Sequence, residues 1–140
     1  MTLMAKITSR ILKEPYKVEI LSPSGNMVIA DEPVEMGGMD LGFSPKELLA
    51  SALAACTSAT VKMFADRKKW DLEEVKIQIE LEHNPQQNKT LIQRSIEFIG
   101  DLDQEQKKRL LVVAGACPIH RILNNPIEIN TQIEKLSWSP

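Results

Sequence analysis

Aromatic residues and cysteines are scarce in this sequence. Aromatic side chains make up 4% of its 140 residues, and there are two cysteines, Cys56 and Cys117. Positive charge is not in excess either, because the formal net charge is −2. This balance argues against a nucleic-acid surface, which requires a clustered basic face. Small residues in place of aromatic ones leave a small core that a partner subunit often completes, so a homodimer is compatible with this composition.

Targeting and membrane signals are also missing. The N-terminal residues lack the apolar core and cleavage site of a signal peptide. Together with the two cysteines, this predicts a cytoplasmic protein in a reducing compartment, where thiols are catalytic, sensory or buried. Segment 48–65 contains one base, Lys62, and no acid. Because Ala, Ser and Thr dominate it, we expect a buried helix and no membrane partner.

Three common kinds of site are absent from the pattern. The glycines at 37–42 lack the lysine or the spacing of a phosphate-binding loop, and no serine-hydrolase elbow occurs. The cysteines form no C-x-x-C pair, so a metal site is not expected. We therefore predict that the chain holds no bound metal or cofactor.

Hydrophobic periodicity predicts an α+β fold in a single domain, residues 1–140. Short β-branched runs between turn residues, and two alternating runs further on, predict strands. They are expected at 5–13, 16–22, 26–31, 75–82, 90–99 and 127–136. Because the strands come in groups separated by helices, α+β is favoured over an alternating βαβ pattern.

The clearest local signal is a capping box with proline at the first helical position, Ser44-Pro45-Lys46-Glu47. It predicts a long helix that ends near Arg67. An amphipathic helix is predicted at 103–114, with Gly115 as its stop signal. A short helix from Pro118 to Leu123 is expected to follow Cys117.

Cys56 lies in the middle of the predicted long helix. Its neighbours at helical spacing are apolar or small, so it is either a buried core residue or a nucleophile in an apolar pocket. The second role requires a nearby cation that favours the thiolate. Cys117 has stronger local activation, because it precedes the positive end of a helix dipole. His120 follows one turn later, where it either assists Cys117 or lies on the helix surface.

Arg94 breaks the pattern of its strand. Ile92, Ile96 and Phe98 define the apolar face, and Arg94 has the same parity. An arginine on a core face needs an acidic partner or an anionic ligand. Alternatively, its side chain extends past the sheet edge or across a dimer interface.

These residues together resemble a known family. The helix that carries Cys56, from Ser44 to Thr57, and the segment Ala116-Cys-Pro-Ile-His-Arg121 are similar to the OsmC/Ohr family of osmotically induced and organic hydroperoxide resistance proteins. The resemblance implies an intertwined homodimer with β-sheets flanking central helices. It also implies a thiol peroxidase that reduces small organic hydroperoxides in oxidative stress defence. Cys56 is then the peroxidatic thiolate and Cys117 the resolving cysteine, with an external dithiol, such as a lipoyl group, as reductant.

The family pattern also includes an activating pair. In its peroxidase branches an acid follows the helix-opening proline and orients an arginine from the N-terminal strands. Here Lys46 has that position, Glu47 follows it, and Arg10 is the arginine in those strands. Candidate activating or orienting residues are thus Lys46, Glu47, Arg10, Arg94 and His120.

Two other functions fit the same residues. The first is a non-catalytic dimeric protein that binds an apolar ligand, which Lys46 in place of the acid favours. The second is a redox sensor that forms the Cys56–Cys117 disulfide without turnover.

Overall fold

The computed structural model describes residues 4–140, which form two units. The first contains the chain up to Leu48 together with Asn130–Pro140, and the second contains Leu49–Ile129. The first unit has a three-stranded antiparallel sheet of β1 (Thr8–Ile11), β2 (Val18–Leu21) and β3 (Met27–Ala30), in that order. The three predicted N-terminal strands are confirmed. They are shorter than predicted because turn residues occupy more of each interval.

The glycine-rich loop after β3 folds around a buried carboxylate, Asp31. Its oxygens accept hydrogen bonds from the backbone N–H groups of Glu32 (2.7 Å) and Leu41 (3.1 Å). Burial acts to raise the pKa of Asp31, but these and other backbone N–H groups outweigh it and hold that pKa below its usual range. Gly38 is required here, because a Cβ at this position would lie 2.1 Å from the carbonyl oxygen of Glu32.

Helix α1 (Pro45–Lys68) begins as predicted. The Ser44 N–H donates to Glu47 Oε1 (2.8 Å), and the Glu47 N–H donates to Ser44 Oγ (3.3 Å), which completes the capping box. Within residues 4–140, α1 is the one helix long and apolar enough to span a membrane by length and composition. This is weak support for a membrane span, since the core helix of a soluble protein meets the same criteria. The fully or almost fully buried residues of α1 form one stripe: Leu53, Thr57, Val61 and Ala65.

The second unit continues with a hairpin and two helices. Strands β4 (Asp71–Asn84) and β5 (Lys89–Asp101) pair antiparallel, and each is longer than predicted. Helix α2 (Gln104–Ala114) begins with a capping box between Asp103 and Gln106. Helix α3 (Pro118–Leu123) begins directly after Cys117, as predicted. One core joins the second half of α1, β4 and α2: Val61, Ala65, Leu72, Leu110, Val113 and Ala114.

The predicted strand at 127–136 is wrong. Residues 126–140 have no regular secondary structure, and Ile129 and Ile133 are 82% and 105% exposed. The alternating isoleucines are a strand pattern, but a strand forms only when a neighbour accepts its hydrogen bonds. Within residues 4–140 no strand pairs with this segment.

Candidate functional site

Cys117 is the N-cap residue of α3. Its backbone is extended (φ −66°, ψ 140°), and Pro118 is the first helical residue. The backbone N–H of His120 donates a hydrogen bond to Cys117 Sγ over 3.3 Å. This is the hydrogen bond that the side chain of an N-cap residue ordinarily accepts from the first turn of its helix. The Cys117 side chain has no exposure to solvent. The sulfur is therefore held at a helix start and screened from water.

Two residues of α1 reach this sulfur. Thr57 Oγ1 lies 3.7 Å from Cys117 Sγ, and the side chain of Cys56 is within hydrogen-bonding reach of it. Both cysteines are free thiols. Burial acts to raise the pKa of Cys117, but the His120 N–H and the side chains of Cys56 and Thr57 lower it below its ordinary value of 9.0. The fold thus brings the two cysteines together and favours a thiolate at the buried one.

Arg94, on β5, connects the thiol pair to α3. Its Nη1 donates to Thr57 Oγ1 (3.0 Å), and its Nη2 donates to His120 Nδ1 (3.1 Å). Because a guanidinium only donates, Nδ1 must accept, and the neutral imidazole carries its proton on Nε2. No carboxylate forms an ion pair with Arg94 among residues 4–140. The acidic partner considered for this inward-facing arginine is therefore not supplied by the described chain.

The other candidate residues lie elsewhere. Lys46 is exposed and precedes Cys56 by ten residues of helix, which corresponds to a rise of about 15 Å. Glu47 is held in the capping box, where the N–H and hydroxyl of Ser44 lower the pKa of its carboxyl. In the first unit Arg10 faces Glu19 on the neighbouring strand (3.6 Å) and stacks over the ring of Trp138 (4.7 Å).

Thr57 is the site residue that the sequence analysis missed. The helix face considered from the sequence contains Cys56, whereas the buried stripe of α1 contains the next residue, Thr57. The available signal was the i+4 spacing of Leu53, Thr57, Val61 and Ala65, in which a single hydroxyl interrupts an apolar row beside a cysteine. A buried hydroxyl requires partners, and Thr57 donates to the Leu53 carbonyl oxygen (2.7 Å) besides accepting from Arg94.

The arrangement is that of a thiol site. In the part of the chain that the structure describes, no group of three or more His, Cys, Asp or Glu residues could hold a metal ion. Chemically, the site offers two adjacent thiols and a cation that is connected to Cys117 through Thr57.

Comparison with known proteins agrees with the pattern of the helix and the two cysteines. Residues 37–132 match the family model described as OsmC-like protein, which covers α1, both cysteines and Arg94. The chain belongs to the OsmC-like protein family. The predicted family is thus confirmed. This OsmC-like chain is also 27% identical, over 104 residues, to an uncharacterized protein of Acinetobacter baylyi, with 72% of this chain and 73% of that protein covered.

Solved structures agree on the fold. An OsmC-like protein from Mycoplasma pneumoniae is similar with a TM-score of 0.75 and 24% identity, over 89% of each chain. The organic hydroperoxide resistance protein OhrB of Bacillus subtilis is similar with a TM-score of 0.60 and 23% identity, over 86% of this chain and 90% of that one. At these identities the likeness concerns the fold, and it confirms the predicted α+β architecture with a long helix and two sheets.

Proposed function

We propose that this OsmC-like protein is a thiol peroxidase that reduces small organic hydroperoxides through Cys56 and Cys117. The observation that carries the proposal is the contact between the two free cysteines, together with the lowered pKa of Cys117. Family membership adds support, since relatives of this fold are described as organic hydroperoxide resistance proteins. A reducing, cytoplasmic setting keeps both thiols free.

The difference in solvent exposure between the two cysteines assigns their roles as peroxidatic and resolving residue. Cys56 is half-buried, whereas Cys117 is fully buried. A peroxide therefore meets Cys56 first, and Cys117 is placed to attack the oxidised sulfur from the protein side. This agrees with the order that the family resemblance implies, in which Cys56 is peroxidatic and Cys117 resolving.

The reduced pair shares one proton when Cys117 is a thiolate that accepts from the Cys56 thiol. Transfer of that proton to Cys117 leaves a Cys56 thiolate. Its sulfur attacks the outer peroxide oxygen, so that an S–O bond forms, the O–O bond breaks and an alkoxide leaves. The alkoxide takes the proton stored on Cys117 and becomes the alcohol.

The regenerated Cys117 thiolate then attacks the sulfenic sulfur of Cys56. A disulfide forms, and the departing hydroxide takes a proton from solvent to give water. An external dithiol, such as a lipoyl group, supplies two electrons and returns both cysteines to thiols.

Arg94 supplies the activating charge in this proposal. It donates to Thr57 Oγ1, whose one proton goes to the Leu53 carbonyl oxygen and must turn toward Cys117 Sγ, 3.7 Å away, to stabilise the thiolate. Arg94 thus acts through Thr57 as a positioning residue, and Lys46, which lies about 15 Å of helix rise from Cys56, is not needed. Arg10 is engaged by Glu19 and Trp138 in the first unit.

The peroxidase is tested by stopped-flow reduction of cumene hydroperoxide with dihydrolipoamide. Wild type is expected to turn over, Cys56→Ser to consume no peroxide, and Cys117→Ser to stop after one equivalent with a sulfenic acid that dimedone traps. Thr60→Ser, one turn along α1, is the matched control and should retain wild-type rates. Equal rates in wild type and Cys56→Ser would remove Cys56 from the mechanism. Formation of one disulfide without turnover would instead support a redox sensor.

We also propose that the protein is a homodimer. Helix α1 exposes a stripe of small residues, Ala52, Ala55 and Ala59, on which another helix can pack closely. The exposed isoleucines of 127–136 retain a strand pattern that a second copy can pair. Sedimentation equilibrium should give twice the chain mass. Ile133→Lys should weaken the dimer and Glu134→Lys, its neighbour on the opposite parity, should not. A monomer at all concentrations would refute the assembly.

A further inference from the structure

A cavity of about 350 Å³ opens in the second unit between α1, β5 and α3. Its volume lies in the range of pockets that bind small molecules. Most of its surface is apolar, and two polar side chains at the wall belong to the network described above. The residues that line it include Leu49, Leu53, Ile92, Leu123, Arg94 and His120.

The positive charge at this cavity is not neutralised by the described chain. Arg94 carries a guanidinium cation, and its two observed hydrogen bonds go to neutral acceptors, Thr57 Oγ1 and His120 Nδ1. A guanidinium has five N–H groups, so three are left for another partner. No aspartate or glutamate lines the cavity among residues 4–140. Because a half-buried charge without a counterion is unfavourable, an anion at this position is stabilising.

His120 adds a second donor. Its Nδ1 accepts from Arg94, so its Nε2 carries the remaining proton. Among residues 4–140 this Nε2–H group donates no hydrogen bond. Arg94 and His120 therefore both have N–H groups available, and both line a cavity whose wall also includes leucine and isoleucine side chains.

We propose that this cavity binds a small monocarboxylate with a short apolar chain, with the carboxylate on Arg94 and His120 and the chain against Leu49, Leu53, Ile92 and Leu123. The site goes beyond the proposed peroxidase, because it requires neither thiol. A carboxylate matches the fork of the guanidinium, and four to six carbons of apolar chain are compatible with the volume. The carboxylate is also the kind of anionic ligand that the strand position of Arg94 suggested as one of two alternatives.

The test is an NMR titration of reduced protein, without peroxide, with hexanoate, hexan-1-ol and acetate as probes. Hexanoate is expected to bind saturably. Hexan-1-ol, which lacks the charge, and acetate, which lacks the chain, should each bind about tenfold or more weakly. If hexan-1-ol binds as tightly as hexanoate, the carboxylate subsite is wrong. If acetate does, the apolar part is wrong. Absence of hexanoate binding overturns both.

Variants locate the subsite. Arg94→Met should weaken hexanoate about tenfold or more and leave hexan-1-ol unchanged, whereas Arg121→Met, an exposed arginine on α3, should behave as wild type. Arg94→Lys keeps the positive charge but lacks the forked guanidinium, so it should weaken hexanoate binding less than Arg94→Met does. It replaces Arg94→Met in the test if that variant does not fold. Unchanged hexanoate binding in a folded Arg94 variant overturns the assignment. Because the titration contains no peroxide, hexanoate binding is measured separately from turnover, and failure of Cys56→Ser to abolish peroxidase activity would contradict the proposed function without affecting this subsite.

Discussion

Replacement of Thr57 by valine tests the link between Arg94 and Cys117. Valine has the same branched shape and replaces the hydroxyl by a methyl group. The hydrogen bond from the Arg94 guanidinium is worth about 1.5–3 kcal/mol, but Arg94 is half-buried and water can replace the lost acceptor. The added methyl contributes about 0.8 kcal/mol in the opposite direction. The free energy of unfolding should therefore fall by only about 1 kcal/mol.

The effect on the thiolate is the more specific readout. Thr57 Oγ1 is one of the groups that lower the pKa of Cys117, so Thr57→Val should raise that pKa toward its ordinary value of 9.0. In a Cys56→Ser background Cys117 is the single thiol, and its thiolate absorbance in the ultraviolet can be followed against pH. Thr60→Val in the same background is the matched control, because Thr60 lies on the same helix and is not among the groups that lower the pKa of Cys117.

Stability should follow the same titration. Because the pKa of Cys117 is lower in the folded state, the unfolded chain binds more protons between that pKa and 9.0, and stability rises with pH across this interval. The contribution is complete above 9.0 and is lost as the pH falls through the folded-state pKa. Thr57→Val should flatten this rise in urea unfolding. A thiolate titration equal to that of the background, or an equal shift in Thr60→Val, would refute the role of Thr57.

Three further outcomes test the fold. Gly38→Ala should lower the free energy of unfolding in urea by about 1–3 kcal/mol, because its Cβ would meet a carbonyl oxygen. Gly115→Ala, whose Cβ would lie 3.4 Å from its nearest neighbour, should be close to neutral. Equal losses in the two variants would contradict the steric argument. Asp31→Asn should destabilise the protein at neutral pH and flatten the acid limb of its stability curve, since the contribution of this carboxylate is present above its ordinary pKa of 3.8 and lost as the pH falls through the lowered one. An unchanged acid limb would remove Asp31 from that role. Leu110→Ala, at a fully buried position of α2, should lower the free energy of unfolding by about 2–5 kcal/mol, and a loss below that range would mean that the core closes around the gap.

Elements with strong local signals were predictable from the sequence. The capping box at Ser44 and Glu47 determines where α1 begins, and Pro118 determines where α3 begins, because cap residues act on the nearest backbone groups. Alternation identified the hairpin β4–β5 and placed Arg94 on its inner face. The segment 127–136 shows the limit, since its pattern is that of a strand but the partner of a strand is a tertiary matter.

For the two cysteines as well, part of the description follows from the sequence and part only from the tertiary structure. Sequence alone determined that Cys117 precedes a helix and that Cys56 lies inside one, because both facts follow from local caps and periodicity. Only the tertiary structure decided that they touch, that Thr57 lies beside them and that Arg94 is the nearby cation in the second unit. These contacts join residues 37 and 60 positions apart in the chain, and no local pattern encodes such separations. The burial that makes Cys117 inaccessible and the hydrogen bonds that favour its thiolate arise only when α1, β5 and α3 pack together.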